Sequence, residues 1–279
     1  NTPTQPNYTP GAYGLLTGVQ SFNTGAAGVK AASAQPLGTL TSAIDRLDLS
    51  IRFGVSTGRA QCVDIFADGV KIVTDLPFIP GLASFPTPKA LNLHIPSGKA
   101  ISLNAASNTA TNLTGVTIFA SAANVAETVT VIEPLAPVGS GANYTMTTGT
   151  LVKVPLGSNT SGWVCLNTAG ATANAYRYLY PHIGSYNDIT GRTNGADVIL
   201  ELGYADDAAG TNLVSFGVQY MSGQASTALW LTGFPGFACQ MPAGKFPFAR
   251  ITLSTNSTKS TGTVTDGDPF NVQLHGGRS

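Results

Sequence analysis

Charge is the scarcest property of this 279-residue chain. Asp, Glu, Lys and Arg make up only 10% of the sequence, with 14 basic and 14 acidic residues and a net charge of zero. A nucleic-acid-binding surface needs an excess of Lys and Arg, so we expect no DNA or RNA partner. The polar character of the chain comes instead from Ser, Thr, Asn and Gly.

Long apolar runs are also missing. No stretch approaches the ~20 consecutive apolar residues that a membrane-spanning helix requires, so we expect no membrane partner. The first ten residues are polar and rich in proline, and they lack the basic and apolar regions of a signal peptide. We therefore expect no signal peptide in the sequence as it stands.

Cysteines are few and widely spaced. Cys62, Cys165 and Cys239 form no CxxC pair, which argues against a zinc ribbon or a thioredoxin-like site. We interpret them as small hydrophobic residues buried in strands. A single disulfide with one cysteine left over is the alternative.

The candidate catalytic motifs lack the context that their chemistry needs. Residues 54–58 match the GxSxG pattern, but a strand-like segment follows where a nucleophile elbow requires a helix. The three histidines show neither HxH nor HExxH spacing. We predict that the protein is not an enzyme and has no catalytic residue, cofactor or metal site. Calcium at Asp266 and Asp268 is a weaker interpretation than an ordinary turn.

Apolar residues recur with a period of two rather than 3.6. Residues 47–53 alternate between apolar and polar, and residues 129–132, 151–154 and 198–202 are also typical of strands. No helical periodicity extends over eleven residues. Together with the abundance of Thr, Gly and Pro, this pattern predicts an all-β fold with many turns.

An internal repeat is the most informative feature of the sequence. Twice, an apolar residue is followed by Pro-x-Gly-Lys, a strand, a polar turn and a further strand. The shared motif consists of Pro96, Gly98 and Lys99 in the first copy and of Pro242, Gly244 and Lys245 in the second. Proline suits a strand entrance and glycine allows a tight turn, so each motif is expected to form an equivalent solvated corner.

The repeat predicts two tandem antiparallel β-sandwich domains that are jelly-roll-like. Upstream of the motifs we match strand 48–53 with 197–202, and strand 62–66 with 213–219. The predicted organisation is an extended N-terminal arm at 1–14, domain 1 at 15–133, a Pro- and Gly-rich linker at 134–142 and domain 2 at 143–279.

Aromatic residues mark the candidate interfaces. Strand alternation places three tyrosines on one face, where they suit a protein interface or the core rim better than sugar stacking. An apolar loop and the N-terminal arm supply further anchors. The candidates are Tyr176, Tyr178 and Tyr180 on the strand, Phe234 and Phe237 in the loop, and Tyr8 and Tyr13 in the arm.

Several of these segments resemble a group of tailed-bacteriophage virion proteins. Segments 161–166 (SGWVCL), 198–203 (VILELG) and 241–244 (MPAG) match the pattern in the second domain. The first domain keeps 49–54 and 95–98 but lacks the tryptophan. The resemblance covers about two thirds of the chain, and its motifs are structural.

The resemblance implies a structural component of the virion, most specifically a capsid decoration or cement protein. A neck, collar or tail attachment protein is the alternative within that class. An extracellular carbohydrate-binding module or adhesin that uses the three strand tyrosines is the alternative from another class. The expected partners are the chain itself, as a homotrimer or else a dimer, and the major capsid protein or other virion proteins.

Overall fold

The structure is a computed structural model, and none of the residues that it describes is helical. Accordingly, no helix in this described part is long and apolar enough to cross a membrane. The prediction of an all-β sandwich fold is confirmed. The described residues are 14–15, 20–23, 25–26, 28–53, 61–78, 89–107, 113–121, 128–136, 149–183, 198–221, 236–256 and 267–279.

The chain divides into two compact units. Unit 1 comprises Asn1–Glu133 together with Gly277–Ser279, and unit 2 comprises Pro134–Gly276. The sequence had placed the last three residues in the second domain. They belong to unit 1 because the Thr130 N–H donates to the Arg278 carbonyl at 2.8 Å.

Unit 1 forms two sheets. One has the order β1-β9-β4-β7, with β2 also paired to β9, and the other runs β3-β8-β5-β6-β10. Its strands are β1 (Gly14–Leu15), β2 (Gln20–Asn23), β3 (Gln35–Thr39), β4 (Arg46–Phe53), β5 (Gln61–Ala67), β6 (Val70–Phe78), β7 (Lys89–Leu91), β8 (Ala100–Ser107), β9 (Leu113–Ser121) and β10 (Val131–Pro134). Gly14, assigned to the arm by the sequence, pairs with Ala120 of β9.

Unit 2 repeats this arrangement. One sheet runs β16-β13-β18 with β11 on the other side of β18, and the second runs β12-β17-β14-β15. Its strands are β11 (Thr150–Pro155), β12 (Val164–Cys165), β13 (Tyr176–Ile183), β14 (Val198–Ala205), β15 (Val214–Met221), β16 (Phe237–Met241), β17 (Phe246–Leu253) and β18 (Gly267–Arg278).

The two units share one strand order. With β1 and β2 counted as one interrupted strand and the short β10 left out, each unit sets its first strand beside its last, and its second beside its next-to-last. This is the arrangement of a jelly roll. Two pairings of unit 1 depart from the antiparallel prediction: Ile132 of β10 pairs in parallel with Val73 of β6, and Leu93 forms a parallel bridge with Val129.

The strand order corrects the alignment of the repeat. Strand β4 pairs with β7 and β9, as β13 pairs with β16 and β18, so 46–53 corresponds to 176–183. Strand 198–205 then corresponds to 61–67. The predicted match of 48–53 with 197–202 is wrong by one strand, because alternation alone does not distinguish one strand of a sandwich from the next.

Alternating apolar residues fill the space between the sheets of each unit. In unit 1, Leu47 and Leu49 of β4 and Val63 and Ile65 of β5 are fully buried. The core of unit 2 contains Leu200 and Leu202 of β14, Ala249 and Ile251 of β17, and Val152, Val154, Leu179, Val272 and Leu274 from the facing sheet. Burial of these side chains is the main source of stability in each unit.

Candidate functional site

The Pro-x-Gly-Lys motif of unit 1 forms a corner just before β8. Gly98 has a φ of 79°, in the left-handed region that glycine tolerates. Its N–H donates to the Leu40 carbonyl at 2.8 Å, and the Leu40 N–H donates to the Lys99 carbonyl at 3.0 Å. Lys99 Nζ lies 2.8 Å from Asp68 Oδ2, and the Ala100 N–H donates to Asp68 Oδ1.

Unit 2 contains the same corner before β17. Gly244 has a φ of 75°. Its N–H donates to the Thr172 carbonyl at 2.8 Å, and the Thr172 N–H donates to the Lys245 carbonyl at 2.9 Å. Lys245 Nζ pairs with Asp206 Oδ1, and Asn212 donates to the other carboxylate oxygen at 2.8 Å.

The corners therefore share their two backbone hydrogen bonds and their Lys–Asp pair, and they differ in the donor to the second aspartate oxygen. In each, the lysine ties the strand entrance to an aspartate at the tip of the preceding hairpin. Hydrogen bonding to the lysine lowers the pKa of Asp68 and of Asp206. Because each lysine is paired with its own aspartate, neither corner adds net charge to its unit.

The three strand tyrosines do not form an exposed platform, which corrects the sequence interpretation. Tyr176 is 4% exposed and packs in the core of unit 2, and Tyr180 is fully buried. Only Tyr178 is half-buried, with its ring 5.3 Å from that of Tyr180. The register of β13 against β16 shifts between Tyr176 and Tyr178, with the extra residue on β16. Burial along β13 does not alternate, because the adjacent Leu179 and Tyr180 are both fully buried. The rings of Tyr176 and Tyr180 are therefore unavailable to a sugar or to a partner.

Of the remaining interface candidates, the structure describes only Phe237. Phe237 is half-buried and packs against the core of unit 2. Tyr8, Tyr13 and Phe234 lie outside the described residues. A Cβ on Gly236 would lie 2.4 Å from the Tyr180 ring, so the chain entering β16 passes directly over that ring.

Strands β5 and β6 of unit 1 carry a charged cluster that the sequence did not predict. The Asp64 side chain is 2% exposed and accepts from Lys30 Nζ at 2.6 Å, from Lys71 Nζ at 2.7 Å and from the Asp75 N–H at 2.8 Å. Lys30 also pairs with Asp75. Burial raises the pKa of Asp64, but these hydrogen bonds outweigh it and lower the pKa overall. The same cluster holds the pKa of Lys30 above its ordinary value, despite the opposing effect of burial.

The cluster fixes a loop rather than supplying a reactive group. Lys30 lies outside the strands and bonds to side chains on both β5 and β6. Burial raises the pKa of the neighbouring Cys62 thiol to about 12, which disfavours the nucleophilic thiolate.

Unit 2 carries a second arrangement that the sequence did not reveal. Arg250 of β17 makes a two-point pair with Glu201 of β14, at 2.6 and 2.7 Å. The guanidinium carbon of Arg250 lies 4.9 Å from the centre of the Trp163 ring. Trp163 lies in segment 161–166, which the sequence comparison had singled out. Glu201 and Arg250 are distant from it in sequence, so no local pattern predicts that the three side chains meet.

The cysteines, His94 and Asp268 also lie within the described residues. The three cysteines, all within the described residues, form no disulfide, and Cys62 and Cys165 are buried whereas Cys239 is half-buried. His94 Nδ1 lies 2.7 Å from Asp45 on a partly exposed surface. Asp266 lies outside the described residues, whereas Asp268 is buried. In the described part of the chain, no group of three or more His, Cys, Asp or Glu side chains is placed to hold a metal ion.

No protein-family model matches the chain, and no curated protein matches it. Among solved structures, the chain is similar to the tandem CBM22-1–CBM22-2 domains of Xyn10C from Paenibacillus barcinonensis, with 13% identity, coverage of 97% of this chain and 94% of that one, and a TM-score of 0.21. It is also similar to PNGF-II, with 12% identity, coverage of 96% of this chain and 65% of that one, and a TM-score of 0.34. For the structure of infectious bursal disease virus strain Gx, the identity is 10%, the coverage is 98% of this chain and 74% of that one, and the TM-score is 0.22. Likenesses this weak identify no family, and the fold assignment rests on the strand pairing of the chain itself.

Proposed function

We propose that the protein is a structural, non-enzymatic component of a bacteriophage virion, most specifically a capsid decoration or cement protein that assembles as a symmetric oligomer. The observation that carries this proposal is the repetition of one jelly-roll unit within the chain, down to the hydrogen bonds of the Pro-x-Gly-Lys corner. The resemblance of segments 161–166, 198–203 and 241–244 to phage virion proteins supplies the biological setting.

The surface chemistry supports an assembling subunit. Copies of a protein with no net charge repel one another little, so close packing of many subunits carries a small electrostatic cost. The corner lysines are neutralised within the chain, which leaves neutral turns at those ends of the units. A homotrimer is the oligomer that we favour, with a dimer as the alternative.

A neck, collar or tail attachment protein is the alternative within the same class. The position in a particle separates the two, because a decoration protein covers the shell in many copies whereas a neck or tail protein occupies one vertex. Cryo-electron microscopy of particles, with the chain located by its density, is the decisive experiment. Density for the two sandwiches across the shell supports decoration, density at a single vertex supports the alternative, and absence from the particle overturns both.

The mass of the purified protein in solution tests the oligomer independently. Multi-angle light scattering is expected to give three times the chain mass of 28.6 kDa. A twofold mass would select the dimer, and a monomer at all accessible concentrations would remove the self-association part of the proposal.

A further inference from the structure

One sheet of unit 2 bears a compact aromatic and polar surface, which we call the Trp163 surface and define by Trp163, Glu201 and Arg250. Glu201 and Arg250 are direct partners on the central strands β14 and β17. Their neighbours in sequence, Leu200, Leu202 and residues 249 and 251, point into the core. Because successive side chains alternate across a strand, Glu201 and Arg250 project from the outer face of the sheet.

The Trp163 ring is held against this face by the backbone around it. The Ser161 N–H donates to the Ile251 carbonyl, and the Ile251 N–H donates to Ser161 Oγ, each at 2.9 Å. These bonds fix the approach to Trp163 alongside β17. A Cβ on Gly203 would lie only 3.3 Å from the ring, so glycine lets the indole lie close to the sheet. The ring remains partly exposed.

The guanidinium of Arg250 lies over the Trp163 ring, 4.9 Å from its centre, and its pair with Glu201 retains hydrogen-bonding capacity. A guanidinium has five N–H donors, and the pair with Glu201 uses Nε and one Nη nitrogen, which leaves further donors. The carboxylate likewise retains acceptor lone pairs. The Arg250 and Glu201 side chains are 34% and 17% exposed, so water or a ligand can reach these groups.

We propose that the Trp163 surface binds a neutral carbohydrate. A sugar ring presents C–H groups on its faces, which suit the electron-rich face of an indole, and hydroxyls at its edge, which both donate and accept. Arg250 and Glu201 offer donors and acceptors side by side. Their charges cancel, so the surface favours an uncharged ligand over an anionic one. This site replaces the tyrosines of β13, whose burial removes them as a stacking platform.

Fluorescence can report on this surface directly. Trp163 and Trp230 are the two tryptophans of the chain, so the W230F variant leaves Trp163 as the single indole reporter. The full-length W230F protein is titrated with a panel of neutral oligosaccharides of glucose, mannose, xylose and N-acetylglucosamine. A saturable change in emission with at least one of them is expected, and it is expected to be insensitive to salt.

Matched variants separate binding from folding. W163A is expected to weaken binding about tenfold or more, measured by calorimetry. The double variant E201Q/R250Q keeps a neutral hydrogen-bonded pair and is expected to weaken it about fivefold. Y178F, on a different strand of unit 2, serves as the control and is expected to bind like the parent.

The outcomes distinguish this inference from the virion proposal, because the assay uses the isolated protein. If no oligosaccharide of the panel changes the emission, or if folded W163A and E201Q/R250Q both bind normally, the carbohydrate site is overturned. If W163A fails to fold, the double variant decides. None of these results bears on the place of the protein in a particle.

Discussion

Single glycines decide the shape of the two corners. A Cβ placed on Gly98 or Gly244 would meet no atom within 4 Å, so only the positive φ opposes a side chain there. We expect Gly98→Ala and Gly244→Ala each to lower the free energy of unfolding by about 1 kcal/mol, and by similar amounts, because both corners have the same geometry. Urea denaturation measures the change.

The matched control for these variants is asparagine, which tolerates the left-handed region better than alanine. G98N and G244N are expected to cost less than the alanine variants. Equal stability of the alanine variants and the parent protein would show that the corner relaxes to another backbone conformation.

A buried carboxylate in unit 1 makes stability depend on pH. The pKa of Asp64 is lowered in the folded state, so its contribution is present above the unfolded value of about 4 and is lost as the pH falls through the folded pKa. We expect the free energy of unfolding of the parent protein to fall below about pH 4. We expect D64N to lose less stability than the parent over the same pH range. Urea midpoints at pH 7, 4 and 3 measure this difference.

Removal of the Asp64 carboxylate at neutral pH leaves its lysine partners without one of their counter-charges. D64A leaves Lys30, whose side chain is 17% exposed, with Asp75 alone. Breaking a buried pair on one side costs about 3 kcal/mol, and we expect a loss of this size for D64A at pH 7. Lys99→Ala, which breaks an exposed pair at the corner, is the control and should change stability far less. A smaller loss for D64A than for K99A would contradict the structural role of the cluster.

At the scale of elements, the end of β18 completes unit 1. Arg278 pairs with Glu133 at 3.0 Å, and the Arg278 carbonyl accepts from the Thr130 N–H and hydroxyl. We expect deletion of residues 277–279 to destabilise unit 1 by about 1–2 kcal/mol, through the loss of these hydrogen bonds and a partly exposed pair. Hydrogen exchange of amides in β6 and β10 measures the effect locally.

Arg278→Lys provides the control for that deletion, because it keeps the backbone bonds and the charge but loses the second contact to Glu133. It is expected to cost less than the deletion. If the deletion accelerated exchange only in the strands of unit 2, the last three residues would stabilise unit 2 and the prediction would be wrong.

At the scale of the whole molecule, the N-terminal segment is the predicted attachment arm. Residues 1–13 contain three prolines and two tyrosines, and proline lowers the entropy that an extended segment loses on docking. We expect deletion of 1–13, which leaves β1 in place, to preserve both sandwiches and to weaken binding to phage particles. Circular dichroism and co-sedimentation with particles measure the two effects. Undiminished sedimentation, or unfolding of unit 1, would remove the arm from this role.

The sequence predicted the two corners but not the burial of the tyrosines on β13. Pro-x-Gly-Lys is a local pattern in which glycine and proline fix the backbone, so its recurrence predicted two like units and two tight turns. The tyrosines of β13 look equally regular, yet Tyr176 and Tyr180 are buried, and the chain at Gly236 passes directly over the Tyr180 ring. Which segment covers a strand depends on tertiary pairing, which alternation does not specify.

Composition and periodicity by themselves determined an all-β chain, because the period of two and the turn residues act within a few positions of one another, and the repeated Pro-x-Gly-Lys motif predicted two like sandwiches. Only the tertiary structure decided which strand of one unit corresponds to which of the other, the return of residues 277–279 to unit 1, and the meeting of Trp163 with Glu201 and Arg250. The physical reason is that these contacts join residues far apart in sequence, and strand pairing, not local preference, brings them together.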